Sequence, residues 1–177
     1  MKLPELVDNL MNLLVIADTK TIADLMVHKG FWKTGNPYAN SYKYLRELTQ
    51  LDKLVKGEGY FKLPNCKSEY AEHAQLLTQA LALIIKTPYE PVIYREKTID
   101  EVGLRPDALV LLKNADKGRC FILEVVNNEL PMFLEKKKNA WETWQDDLDY
   151  LSRLFGYKIP HYDFVTSETL KEYLEAL

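Results

Sequence analysis

Apolar residues recur every three or four positions over the first fifty residues, and this spacing predicts three helices. The first begins at the early proline, which suits a first helical turn, and runs to about Ile16. The second is capped by Thr19 or Thr21 and ends at Gly30, where a glycine can leave the helix. The third opens at Asn36, which is followed by a proline.

Two short apolar runs around a pair of glycines follow the third helix and predict a small hairpin. Residues 54–55 form one strand, 57–59 the turn and 60–63 the second strand. Three helices and a hairpin follow the element order of a winged helix, whose third helix can enter the major groove. We therefore predict a winged helix-turn-helix DNA-binding domain over residues 1–63. The alternative is a winged helix that binds protein, with its lysines serving only as solvated surface.

The charge distribution favours contact of this first domain with DNA. The 177-residue chain has a net charge of -3, yet residues 1–63 hold nine Lys or Arg against seven Asp or Glu. Most of this local excess lies on the third helix and the hairpin, where it can meet phosphates. The predicted partner is double-stranded DNA. The candidate DNA-binding residues are Lys33, Ser41, Lys43, Arg46, Lys56 and Lys62.

The composition shifts at Leu63-Pro64, and the remainder, residues 64–177, reads as a second domain of alternating helices and strands. The whole chain is therefore predicted to be of the α/β class. The expected elements are a helix over 68–86, a strand that holds Glu96, a hairpin of 107–113 with 120–126, a helix over 131–155, a strand within 159–165 and a closing helix capped by Ser167.

Two carboxylates interrupt the otherwise apolar strands of the hairpin, Asp107 and Glu124. If Asn114 pairs with Arg119 across a four-residue loop, the two acids are diagonal neighbours on one face of the sheet. The apolar strands indicate a sheet covered on both faces, so these acids need a cation, a proton or a hydrogen-bond donor. A magnesium ion bound by both acids and a structural pairing with a nearby arginine or lysine are both open.

The predicted long helix carries a core stripe from Trp141 through Trp144 to Phe155, with steps of three and four residues. Lys137 lies one turn before Trp141 on the same face. A lysine in phase with a core stripe projects toward the interior rather than into solvent. We therefore expect Lys137 to meet the two hairpin acids at one small polar site.

The order of these elements, with Pro106-Asp107 and Glu124, resembles the core of the PD-(D/E)XK nuclease superfamily. That resemblance implies that Asp107 and Glu124 bind magnesium, with Glu96 as a further acid. In the superfamily a lysine two residues after the Glu helps to orient the attacking water. Val126 stands at that position here, so Lys137 would supply the lysine from the neighbouring helix.

Over most of its length the chain also resembles the replication-relaxation family of plasmids and other mobile elements. The matching residues are His73, Glu96, the segment Leu104-Arg105-Pro106-Asp107-Ala108, the segment Phe121-Ile122-Leu123-Glu124-Val125, and Lys137 with Trp141. This resemblance implies a winged helix followed by a nuclease-like domain, and a role in replication or DNA relaxation.

Two hypotheses follow. In the first, which we favour because Val126 replaces the expected lysine, the protein binds DNA and its nuclease-like domain serves binding or dimerisation. In the second, it is a magnesium-dependent DNA endonuclease or nickase. The first ten residues are unlike a signal peptide and no apolar run approaches the roughly 20 residues of a membrane span, so we expect a cytoplasmic protein with no membrane partner. A homodimer stays open.

Overall fold

A computed structural model describes residues 3–32, 35–99, 105–114, 117–127, 131–143 and 148–177. These residues build a mixed α/β structure with two sheets, in two compact units, Met1–Lys86 and Thr87–Leu177. The elements of the first unit are α1 (Leu3–Leu14), β1 (Ile16–Ala17), α2 (Thr19–His28), α3 (Pro37–Gln50), β2 (Val55–Lys56), β3 (Phe61–Lys62) and α4 (Ala71–Ile85), with one 3₁₀ turn (Ser68–Tyr70) before α4. The elements of the second unit are β4 (Glu90–Arg95), β5 (Ala108–Asn114), β6 (Lys117–Glu124), α5 (Pro131–Thr143), α6 (Leu148–Phe155), β7 (Tyr162–Thr166) and α7 (Leu170–Glu175).

Side-chain caps fix the starts of the second and third helices. The Asn36 side chain accepts hydrogen bonds from the backbone N–H groups of Tyr38 and Ala39, at 3.0 and 3.2 Å, and the next residue is Pro37. The predicted start of α3 is therefore confirmed. At α2 the cap is Asp18, which accepts from a backbone N–H at 2.6 Å. The predicted threonine cap of α2 is wrong, because the preceding aspartate takes this position.

The small sheet of the first unit has the strand order β1-β3-β2, with both pairs antiparallel. The predicted hairpin of β2 and β3 is confirmed. The strand β1 was not predicted, since α1 ends at Leu14 rather than at about Ile16. Val15 adopts a φ of 69°, which turns the chain out of the helix and lets Ile16 pair with Lys62.

Helix α4 belongs to the first unit, so the boundary between units follows Lys86 and not Leu63. The Thr78 hydroxyl of α4 is buried and lies 2.8 Å from the carbonyl oxygen of Leu14 and 2.6 Å from that of Ile16. These oxygens lie where α1 gives way to β1, and a hydrogen-bond donor there avoids the cost of buried unpaired carbonyls. The composition shift near residue 63 marks only the end of the hairpin.

The second unit contains a four-stranded sheet in the order β4-β5-β6-β7, antiparallel except for the parallel pair β6–β7. The hairpin register pairs Asn114 with Lys117, two residues away from the predicted pairing with Arg119. The predicted four-residue loop is therefore wrong, although residues 115–116 of the turn lie outside the described part of the chain. A shift of two residues keeps every side chain on its predicted face, because the side-chain period of a strand is two.

The sheet is covered on both faces, as its apolar strands predicted. On one face, Leu109, Leu111 and Ile122 form a buried cluster with Trp141 of α5 and residues of α6. Residues of the other face, Val110, Phe121 and Leu123 among them, are equally buried. The predicted single helix over 131–155 is described as α5 and α6, with Trp144 in the undescribed stretch between them.

The predicted cap of the last helix is wrong. Helix α7 begins after Thr169, so Ser167 is not its cap; the Ser167 hydroxyl instead accepts a hydrogen bond from the N–H of Val126 at 3.0 Å. Cys66 and Cys120 are both buried free thiols. In the described part of the chain, every helix is too short or too polar to cross a membrane.

Candidate functional site

The solvent-facing side of α3 carries two of the exposed cations of the first unit. Lys43 and Arg46 are both exposed and lie one turn apart. They line a shallow concavity of about 330 Å³ together with Tyr42 and one acid, Glu47. Lys56 reaches this surface from β2, with its ammonium 3.2 Å from the Tyr42 hydroxyl and 5.5 Å from the centre of the ring. We call Tyr42, Lys43, Arg46 and Lys56 the α3 surface.

The other DNA-binding candidates stand apart from this surface. Ser41 is fully buried, so its selection as a DNA contact is wrong: it lies on the same helix face as the core residue Leu45. Lys62 is half-buried, and its ammonium donates a hydrogen bond to the carbonyl oxygen of Cys66 at 2.8 Å. Lys33 lies outside the described residues. Of the six predicted DNA-binding residues, the third helix and the hairpin thus contribute three exposed cations, Lys43, Arg46 and Lys56.

In the second unit, the polar site lies at the end of β6. Glu124 is the last residue of β6 and only 2% exposed. Continuing the hairpin register by one residue places Asp107 directly opposite Glu124, closer than the predicted diagonal. The Asp107 carboxylate accepts a hydrogen bond from the backbone N–H of Val125 at 2.7 Å. The two acids therefore share one face at the end of the hairpin.

Helix α5 supplies two donors to Glu124. The Lys137 ammonium lies 3.2 Å from Oε2, and the Trp141 indole N–H donates to Oε1 at 3.3 Å. Burial, and after it the charge of Asp107, raise the pKa of Glu124 to about 7, against the opposing effect of Lys137 and Trp141. The structure thus brings together Asp107, Glu124 and Lys137, which we call the carboxylate site, and adds Trp141 to them.

Glu96 is connected to this site through its backbone. It follows β4 with a φ of 47°, and its N–H donates to the carbonyl oxygen of Asp107 at 3.0 Å. Its carboxylate forms ion pairs with Arg105 at 2.6 Å and Arg95 at 3.6 Å. The side chain that sequence analysis assigned as a further acid is therefore held by two guanidinium groups. His73 lies on α4, in the first unit.

Two carboxylates are a donor set that magnesium can use, but hydrogen-bond donors already at the carboxylate site compete with a metal ion for three of the four oxygens. Magnesium takes six oxygen ligands in near-octahedral geometry. Both Glu124 oxygens already face donors, and one Asp107 oxygen accepts a backbone N–H. Among the described residues, no group of three or more His, Cys, Asp or Glu side chains is placed to hold a metal ion.

Sequence analysis missed a second polar cluster, on β7. Asp163 accepts a hydrogen bond from the Tyr173 hydroxyl at 2.6 Å, and its other oxygen lies 2.9 Å from Nε2 of His161. Burial and the bond to Asp163 raise the pKa of Tyr173. The signal available in the sequence was the spacing of His161 and Asp163, because residues two apart on a strand share a face.

Comparison with protein-family models, curated proteins and solved structures gives no match for this chain. What the protein does is therefore argued from the geometry and charge of these three clusters.

Proposed function

We propose that the protein binds double-stranded DNA through its first unit, a winged helix, and that its second unit is a nuclease-like scaffold without cleavage activity. The cellular role that fits this proposal is replication or DNA relaxation in a plasmid or other mobile element. The observation that carries it is the α3 surface, where the third helix and the hairpin present exposed cations side by side.

The arrangement of the α3 surface suits a phosphate backbone. Lys43 and Arg46 project from consecutive turns of one helix, and Lys56 is anchored beside them on the Tyr42 ring. Exposed cations in a row attract DNA over several ångströms and neutralise phosphates on contact. Tyr42 adds a hydroxyl that can bind a phosphate oxygen. Glu47, the acid in the same concavity, disfavours a close approach of phosphate at that single position.

The carboxylate site has a structural role in this proposal. Glu124 is buried, and both of its oxygens face donors from α5. These contacts fasten α5 to the end of β6 and satisfy the indole N–H of Trp141, which is itself 1% exposed. A buried carboxylate with two donors is stable without any added ion.

A magnesium-dependent endonuclease is the second candidate. One observation favours it: Asp107, Glu124 and Lys137 converge at one end of the sheet, with the lysine 3.2 Å from Glu124. The donor contacts that already occupy both carboxylates count against it.

DNA binding is tested by gel-shift titration of a mixed-sequence duplex at several salt concentrations. Lys43→Gln and Arg46→Gln should each weaken binding, and each lost phosphate contact should lower the log–log salt slope by about 0.9. Lys171→Gln is the matched control, since it removes an exposed cation from α7 in the second unit. Binding by both α3 variants that equals that of the control would overturn the proposal.

Nicking of supercoiled plasmid with magnesium or manganese distinguishes the two candidates. We expect no cleavage by the wild-type protein. Cleavage that disappears in Glu124→Gln, while the gel-shift affinity is unchanged, would establish the endonuclease instead. The sequence left a homodimer open. Light scattering of the same preparation, with and without duplex, tests whether the protein forms one.

A further inference from the structure

Two cavities of the second unit adjoin at His161 and Asp163. The larger has a volume of about 580 Å³ and the smaller about 320 Å³, and both are lined by Pro160, His161 and Asp163. The Asp163 carboxylate, bonded to the Tyr173 hydroxyl on one oxygen and facing His161 on the other, fixes the boundary between them. Their volumes fall in the range of about 300–1,000 Å³ that is typical of small-molecule sites.

The larger cavity has aromatic walls, and its charged lining residues are one lysine, Lys138, and two acids, Glu142 and Asp163. Tyr162 and Phe164 from β7 line it with half-buried rings, while Trp141 from α5, only 1% exposed, offers almost no surface to a ligand. On the α5 side of this cavity, the Lys138 ammonium and the Glu142 carboxylate form an ion pair at 3.6 Å. A planar ring suits such a cavity, because aromatic side chains offer faces for stacking and the polar groups at the boundary can bind ring nitrogens and oxygens.

The smaller cavity has an excess of positive charge. Arg119 and Lys158, both exposed, line it together with His161, and Asp163 is its only lining acid among the described residues. Arginine and lysine side chains at the mouth of a small cavity suit a phosphate group. Cys120 also lines this cavity, but burial and the charge of Asp163 raise the pKa of its thiol to about 12, so the thiol is unreactive there.

We propose that these joined cavities bind a nucleotide, with the base in the aromatic cavity and the phosphate against Arg119 and Lys158. The larger cavity reaches Trp141, which donates to Glu124 of the carboxylate site, whereas the smaller cavity is separate from that site. The smaller cavity adjoins Cys120, which pairs with Tyr162, whereas Glu124 lies four residues further along β6, roughly 13 Å away at the 3.3 Å rise of a strand. The nucleotide can be a free mononucleotide or the phosphorylated end of a DNA strand, since both present the same chemistry.

Isothermal titration calorimetry with the full chain tests this proposal. The probes are a panel of the four deoxynucleoside 5′-monophosphates, the corresponding nucleosides, inorganic phosphate, and a short single strand with and without a 5′-phosphate. At least one phosphorylated nucleotide, free or at the strand end, should bind about tenfold more tightly than its nucleoside and than phosphate alone. Arg119→Gln and Lys158→Gln should each weaken it about tenfold, as expected for loss of a charged hydrogen bond. Lys20→Gln, which removes an exposed cation from α2, is the matched control.

The strand arm uses a protein that also carries Lys43→Gln and Arg46→Gln, so that the α3 surface contributes little to binding. Tight binding of the mononucleotide identifies a free ligand; tight binding of the 5′-phosphorylated strand alone identifies a strand end. Equal affinity for inorganic phosphate, no binding of any probe, or affinities that Arg119→Gln and Lys158→Gln leave unchanged would overturn the proposal. The mononucleotide arm does not depend on duplex binding by the first unit, so either proposal can fail alone.

Discussion

The α3 surface and the carboxylate site both concentrate charge, but they place it in opposite environments. Lys43 and Arg46 are exposed to water, whereas Glu124 is 2% exposed and depends on Lys137 and Trp141 for its hydrogen bonds. Exposed charges are solvated whether or not the chain folds, so they are available for a partner at little cost to stability. A buried carboxylate needs its neighbours, so its substitution acts on the fold first.

Replacement of Trp141 should have the largest effect on stability. The side chain fills the core beside the sheet, and its N–H donates to Glu124. We expect Trp141→Ala to lower the free energy of unfolding by about 3–5 kcal/mol, measured by urea denaturation. Trp141→Phe is the control that keeps most of the volume and removes the N–H. A denaturation midpoint of Trp141→Ala near that of the wild type would show that this region is not the core of the unit.

Removal of the Glu124 carboxylate should come next. Glu124→Ala removes the oxygen to which the buried Trp141 indole N–H donates, and a lost acceptor of this kind costs about 1–3 kcal/mol; the Lys137 side chain is 39% exposed, so its ammonium is solvated by water instead. Glu124→Gln retains an acceptor oxygen and should cost less. Thermal melting of both variants checks this order. If Glu124→Ala melts with the wild type, the carboxylate does not fasten α5 and the structural role of the site is wrong.

The same residue should make stability depend on pH. Burial and the charge of Asp107 raise the pKa of Glu124 from its ordinary value of 4.5 to about 7. The folded state then binds this proton more tightly, so the stabilisation is complete below pH 4.5 and is lost as the pH rises through 7. The slope contributed by one proton is at most about 1.4 kcal/mol per pH unit.

Denaturation series between pH 4.5 and 8 in wild type and Glu124→Gln isolate this contribution, because glutamine does not titrate. The pKa of Asp24 is lowered below 3.8, first by its hydrogen bond to Lys20. Its contribution to stability is lost as the pH falls below 3.8, which is outside this window. Identical pH profiles for the two proteins would contradict the assignment.

Ser41 tests the boundary between core and surface on α3. Its hydroxyl is fully buried and has no hydrogen-bond partner within the described part of the structure. Ser41→Ala should therefore raise stability by about 0.5 kcal/mol, because alanine is the better helix former and no polar atom is left buried. Duplex affinity should stay at the wild-type value. A loss of duplex affinity as large as that of Arg46→Gln would show that Ser41 contacts the DNA.

The smallest stability changes belong to the α3 surface itself. Lys43→Gln and Arg46→Gln should alter the free energy of unfolding by no more than about 0.5 kcal/mol, the usual range for exposed positions. A large drop in the melting temperature of either variant would mean that these cations support the fold. The α3 surface and the carboxylate site would then not differ in their contribution to stability.

A local capping residue predicted the start of α3, and helical spacing predicted the position of Lys137. Asn36 caps α3 by itself, and the phase of Lys137 with Trp141 brought it to Glu124. The strand β1 could not be predicted in this way. Its two residues continue the apolar pattern of α1, and the turn at Val15 uses a positive φ at a residue type that seldom adopts it.

Errors in the predicted site had physical causes of the same kind. The hairpin loop length sets the register, and residues 114–119 did not determine which loop forms. Ser41 reads as polar and therefore exposed, yet its helix phase places it with Leu45. Asp163 was missed because its partner Tyr173 becomes a neighbour only when α7 packs on β7, and the spacing of His161 and Asp163 alone was not a sufficient signal.

The contact of Thr78 with the end of α1 determines how short a folded fragment of the first unit can be. A fragment that stops at Leu63 would lack α4, which contributes Leu77, Leu81 and Ile84, all fully buried. It would expose the apolar surface that α4 covers in this unit and remove the Thr78 hydroxyl, which lies within hydrogen-bond distance of the carbonyl oxygens of Leu14 and Ile16. Expression of the first unit alone therefore requires a chain that extends through Lys86, and limited proteolysis should release a fragment of that length.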